Sequence, residues 1–267
     1  MEIFIFALLL TLLAGLSTTI GCIISFFVKE PNPRFISLIM GFSAGVMILI
    51  SFVKLLQEGI KSTGFYTGLL FFFVGMFIML IIDVSISHQY EFEQTFHFYY
   101  LNNKSNQDDD GHKYHFNHKE LKKTSLLVFL GIFIHNIPEG MATFIATLKA
   151  VEFGILLAIA IALHNIPEGI AVATPIYAST NSRKKAFYWS FLSGISEFLG
   201  ALIVGLILYP FINDFFLGAM LAVVAGLMVY ISLDELLPVS HSLGKEHMAI
   251  LGVMLGMIVM SISLMLL

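Results

Sequence analysis

The chain has 267 residues, of which 58% are hydrophobic and only 12% charged, with a net charge of −4 and a mean hydropathy of +0.89. A globular domain carries about 25% charged residues, so this chain lacks the polar surface that a water-soluble fold of its size needs. Soluble enzyme, disordered protein and nucleic-acid binder are excluded, and the single cysteine, Cys22, excludes an internal disulfide and a thiolate metal cluster.

What remains is an all-α integral membrane protein. A spanning helix needs about 20 mostly apolar residues. Such stretches run over 3–28, 35–53, 62–82, 124–148, 153–182, 186–213, 215–233 and 248–267, which predicts eight transmembrane helices in one domain. The first stretch lacks a basic leader and is too long for a signal-peptide core, so it is expected to be a span. With eight spans both termini lie on one side. All of the 14 Lys and Arg except Lys54, Lys61 and Lys149 fall in connections on the opposite side. Basic connections stay in the cytoplasm, so both termini are expected outside a cell (inner or plasma) membrane.

The one long connection is roughly 84–123, expected to be cytoplasmic. It carries the acid run Asp108-Asp109-Asp110 and five of the nine histidines: His88, His97, His112, His115 and His118. Such tracts bind transition metals weakly. A solvated linker with incidental metal binding and a metal-sensing or buffering segment both fit.

Spans four and five share a hexapeptide. His135-Asn136-Ile137-Pro138-Glu139-Gly140 recurs 29 residues on as His164-Asn165-Ile166-Pro167-Glu168-Gly169. Residues i and i+4 share a helix face, so His135 lies over Glu139 and His164 over Glu168. Asn136 and Asn165 sit about 100° round, flanking that face. Pro138 and Pro167 cannot donate to the carbonyls of Ile134 and Leu163, which predicts a kink in each helix. At membrane depth such backbone is tolerated where it lines a polar cavity. Each glycine after the glutamate permits close helix approach.

Span six adds Glu197, so three carboxylates lie at membrane depth with no Lys or Arg beside them. Each costs on the order of 3 kcal/mol on insertion scales, and three together repel. Either they are protonated or a cation sits among them. Two imidazoles in the set favour a divalent transition metal.

Each residue has a bland reading too. A lone membrane histidine is commonly a helix–helix hydrogen-bond partner, but packing alone rarely demands the same polar hexapeptide twice. Glu197 could be satisfied by Ser193 and Ser196. Met47 reads as a core methionine. Gly41/Gly45 and Gly252/Gly256 read as helix-packing pairs. Asp234 and Glu235, just before Pro238, read as interfacial charges rather than pore ligands.

At these residues the sequence resembles the ZIP family of divalent metal transporters, on its bacterial ZupT-like branch. The paired His-Asn-Ile-Pro-Glu-Gly motifs carry the likeness. Ala44-Gly45-Val46-Met47, the Ser193–Glu197 stretch and Ser232-Leu233-Asp234-Glu235-Leu236-Leu237-Pro238 support it. The resemblance implies a ZIP-type bundle and a two-ion site between spans four, five and six. By matching position, His135, Glu139, His164 and Glu168 would form the first site, with Met47 reaching in. Asn136, Glu139, Asn165, Glu168 and Glu197 would form the second. Glu139 and Glu168 would bridge both ions. It further implies Zn2+ and Fe2+, with manganese, cobalt and cadmium, as substrates moved into the cytoplasm by one helix bundle sliding on another, no organic cofactor, and a homodimer. Two positions depart from the family pattern. Lys54 and Gln57 stand where an acidic residue and a proline are expected, and Asn165 is an amide where other branches have an acid.

Before metal arrives, the site should hold protons on some of Glu139, Glu168 and Glu197, and the metal should displace them. Rival classes are a metal- or proton-selective cation channel, a sodium carrier and an intramembrane metalloenzyme. Sodium prefers oxygen ligands alone, which imidazoles do not supply. A metallohydrolase needs a general base beside its metal, and here asparagine follows each histidine.

Overall fold

In a computed structural model, which describes residues 2–27, 33–86, 118–242 and 246–266, the described residues are helical apart from short turns. Eight helices are long and apolar enough to cross a membrane. α1 is Glu2–Ser25. α2 starts as Pro33–Ile50, passes through a π-helical turn at Ser51–Leu55 and ends as Leu56–Thr63. α3 is Phe65–Ile86, α4 His118–Lys149 and α5 Val151–Thr180. α6 is Arg183–Leu202 extended by a π-helical segment Ile203–Leu208, after which Tyr209–Phe211 forms a short 3-10 turn. α7 is Asp214–Ile231, a π-helical turn Ser232–Leu236 and Leu237–Ser242. α8 is Glu246–Leu266. Pro138 and Pro167 lie inside α4 and α5, which run on through them.

The helices extend past the charge-free stretches where charges find partners or water. Residues 54–61 read as a connection in the sequence, yet they continue α2. Lys61 pairs with Glu58 one turn back at 2.6 Å, and the Lys54 ammonium lies 5.3 Å from the Phe153 ring centroid. The turn to α3 is a single residue, Gly64, at φ +88°, a conformation glycine adopts without steric cost. At the 84–123 connection, α3 runs to Ile86 and α4 begins at His118. His88, His97, His112, His115 and the Asp108–Asp110 run lie outside the described residues. At the end of α6, Tyr209–Phe211 breaks the 186–213 stretch where Pro210 withholds its N–H.

The helices pack as two bundles. α1, α4, α5 and α6 form one; α2, α3, α7 and α8 form the other; α2 against α5 and α4 against α7 make the seam. Glycines set the spacing. A Cβ on Gly41 or Gly45 would stand 2.3 or 2.2 Å from a carbonyl oxygen of α8 (Ala249, Val253), and one on Gly252 or Gly256 would stand 2.2 Å from a carbonyl oxygen of α2 (Leu38, Phe42). With lipid outside as apolar as the interior, such close packing supplies the attraction between helices. Gly226 of α7 is as tight, its absent Cβ 1.9 Å from the Phe72 carbonyl oxygen of α3. Because that neighbour is backbone, Gly226→Ala should destabilise the protein by roughly 1–3 kcal/mol. A lowered midpoint of thermal unfolding in detergent checks this; an unchanged midpoint would mean that α3 and α7 can part freely.

Candidate metal centre

The site grows from the hairpin of α4 and α5. The two helices meet at Ala150 and run antiparallel. The repeated hexapeptide is therefore presented twice in opposite directions. The histidine of one copy comes level with the glutamate of the other: His164 Nε2 stands 3.2 Å from Glu139 Oε1. Ligand atoms of Glu139, His164 and Glu168 lie within 4.8 Å of one another. All three are buried, Glu168 being the most exposed at 4%.

The asparagines face outward from this group and fix its surroundings. Asn165 Nδ2 donates to the Ala14 carbonyl of α1 at 3.2 Å and, in a short contact, to Glu197 Oε1 of α6. Asn136 Nδ2 donates to the Ser193 carbonyl of α6 at 3.1 Å. The amide nitrogens are thus spent on neighbouring helices. Oxygens are left over: among the described residues, Asn136 Oδ1, Asn165 Oδ1, both oxygens of Glu139, Glu168 Oε2 and Glu197 Oε2 have no hydrogen-bond partner, and neither have the two ring nitrogens of His164, one of them a donor. Buried polar atoms are nearly always bonded, so a cluster of unmet acceptors has the chemistry of a cation site. No Lys or Arg among the described residues pairs with these carboxylates.

Two motif glycines bring the walls in. A Cβ on Gly140 would lie 1.8 Å from the Glu197 carbonyl oxygen, and one on Gly169 the same distance from that of Thr18. α6 and α1 are thereby pressed against α4 and α5 at the level of the carboxylates.

Two further residues singled out from the sequence have other surroundings in the structure. Met47 is fully buried within the apolar core that α2 shares with its neighbours. His135 Nε2 faces Glu235 Oε1 at 2.8 Å, across the seam between the bundles. This corrects the interfacial reading of Glu235, whose side chain is only 14% exposed. Glu235 lies in the π-helical turn of α7. Such a turn holds an extra residue and re-aims the side chains after it, a shift that α-helical spacing cannot register. The signal available was a carboxylate inside an apolar stretch ahead of Pro238. Asp234 stands beside Asp83 and Tyr230, and Tyr230 donates to Asp83 Oδ2 at 3.4 Å.

The sequence pattern of the ZIP zinc transporter family matches residues 85–264. The chain belongs to this family. It is 44% identical to the zinc transporter ZupT of Clostridium perfringens over 97% of this chain and 95% of that protein. It is 43% identical to the ZupT of Oceanobacillus iheyensis over the full length of both, and 45% identical to that of Campylobacter jejuni over 98% of this chain and 96% of that protein. The chain is a multi-pass membrane protein of a transporter family, not an enzyme, and its buried cluster of Glu139, His164 and Glu168 could hold a metal ion.

Asn165 ties three helices together, and Asn165→Ala should leave Glu197 Oε1 without its amide donor, while the Ala14 carbonyl keeps its bond from Ser17 Oγ. Losing such a buried partner costs about 1–3 kcal/mol. The expected result is a clearly lowered thermal midpoint in detergent, with Asn165→Asp, which keeps the shape, lowered further by a fourth buried anion unless zinc is added.

Proposed function

We propose that this ZIP family member carries zinc into the cytoplasm through an intramembrane site of two ions. The carrying observation is the set of unpartnered ligand atoms on Glu139, His164 and Glu168, buried at membrane depth with no Lys or Arg among the described residues pairing with them. A dication supplies that charge and takes the mixed oxygen and imidazole ligands. The relatives' name, zinc transporter, agrees with this.

In this reading Glu139 and Glu168 use both carboxylate oxygens to bridge two ions. His164 and His135 complete one site, with Met47 reaching in. The carbonyl oxygens of Asn136 and Asn165, with Glu197, complete the other. His135 would leave Glu235 to join. Because Asn165 is neutral, the second site carries less negative charge, which favours a broad choice among zinc, iron, manganese, cobalt and cadmium. Release requires exchangeable ligands rather than a closed tight site. The arriving metal displaces protons from the carboxylates. Residues 1–267 act as one transport domain, with 84–123 as a cytoplasmic His/Asp-containing segment. The protein sits in the cell membrane with both termini outside, and pairs as a homodimer.

Radioactive zinc uptake by proteoliposomes tests the site. Saturable uptake is expected, abolished by Glu139→Ala and by Glu168→Ala. Undiminished uptake by both variants would refute the assignment. Unlabelled iron, manganese, cobalt and cadmium should each compete with the tracer, and current without saturation would instead support the channel.

A further inference from the structure

At the membrane face opposite the α3–α4 connection, two hairpin turns meet. One, at Lys149 and Ala150, joins α4 to α5 in the first bundle. The other, at Gly64, joins α2 to α3 in the second. Lys149 reaches from one to the other. Its ammonium nitrogen lies 3.1 Å from Glu58 Oε2 and donates to Ser62 Oγ at 2.8 Å and to the Glu58 carbonyl oxygen at 3.3 Å. A lysine ammonium has three donors. Here all three fall on acceptors of the opposite bundle. Glu58 Oε1 is held in turn by Lys61 at 2.6 Å.

Both ends of this contact are stiff. A Cβ on Gly218 of α7 would stand 2.3 Å from Ser62 Cβ, so the Glu58–Ser62 turn is bound closely to its own bundle. A Cβ on Gly154 of α5 would stand 2.1 Å from Thr147 Oγ1, so the Lys149 turn is equally tight. The two charged side chains are 19% and 15% exposed. Ion pairs between mobile surface chains contribute little, because ordering them costs entropy and water screens them. Neither objection applies with force to a pair held this way. Lys54 over the Phe153 ring makes a second polar contact across the same seam.

We propose that Lys149, Glu58 and Ser62 form a latch between the bundles, which holds them in the register seen here and must open whenever one slides on the other. Hydrogen bonds of this length are lost after a displacement of roughly 1–2 Å, far less than a helical turn. The latch lies on the first bundle's α4, ten residues beyond Glu139 and so about 15 Å along the helix. It therefore acts on transport without touching the metal. This inference rests on the transporter reading above, and the experiment separates the two.

The full-length protein in liposomes is spin-labelled at Tyr66→Cys and Glu152→Cys, exposed positions on the two turns; native Cys22 is fully buried. Pulsed dipolar spectroscopy reads the distance between the labels, and zinc uptake is measured on the same samples. Lys149→Met keeps the side chain's length and removes its donors; Glu58→Gln keeps shape and removes the charge. In each, a second distance population should rise by roughly five-fold, the reach of a well-ordered ion pair, while Lys149→Arg should retain the parent distribution. A folded Lys149→Met or Glu58→Gln protein whose distances superimpose on the parent's would overturn the latch. Absence of zinc uptake by the labelled parent, with the distances shifting as expected, would overturn the transporter reading and leave the latch standing.

Discussion

Three buried carboxylates that no lysine or arginine among the described residues pairs with set the terms for the rest of this molecule. Glu139, Glu168 and Glu197 are buried among helices whose outer faces meet lipid. Bare anions at that depth are expensive and repel one another. The surrounding structure does little to relieve them: one amide donor from Asn165, and an imidazole beside Glu139. Instead it holds them close, through glycines at 140 and 169 that admit neighbouring backbones. A protein that spends close packing on bringing acceptors together has built a place for positive charge.

The antiparallel hairpin turns one motif into two environments. His164 is fully enclosed beside Glu139, while His135 sits at the seam and meets Glu235 of the other bundle. Asn165 reaches α1 and α6; Asn136 reaches α6 alone. The cluster of Glu139, His164 and Glu168 is thus built within one bundle, and contacts at His135 and Lys149 tie that bundle to the other at two depths.

Much of this was legible in the sequence because membranes impose simple rules. Apolar length revealed the eight spans, and the repeated His-Asn-Ile-Pro-Glu-Gly, with Glu197, revealed the polar core. Gly41/Gly45 and Gly252/Gly256 marked close helix packing by their four-residue spacing, and the structure shows that the two pairs face each other between α2 and α8. What stayed hidden depends on register or on distant pairing. The π-helical turn that carries Glu235 does not follow α-helical spacing. The continuation of α2 through Lys54, Glu58 and Lys61 depends on pairing with residues nearly a hundred positions away, such as Lys149. That His164 rather than His135 stands against Glu139 follows from the direction of α5, which face-by-face reading of single helices leaves out.

Anomalous scattering from crystals soaked in zinc, then in manganese, tests the central claim most directly. Zinc peaks are expected among Glu139, His164 and Glu168, with ligand distances of about 2.0–2.2 Å, and manganese is expected to displace zinc there only in part. Zinc confined to other positions, with no anomalous density between these three side chains, would contradict the account.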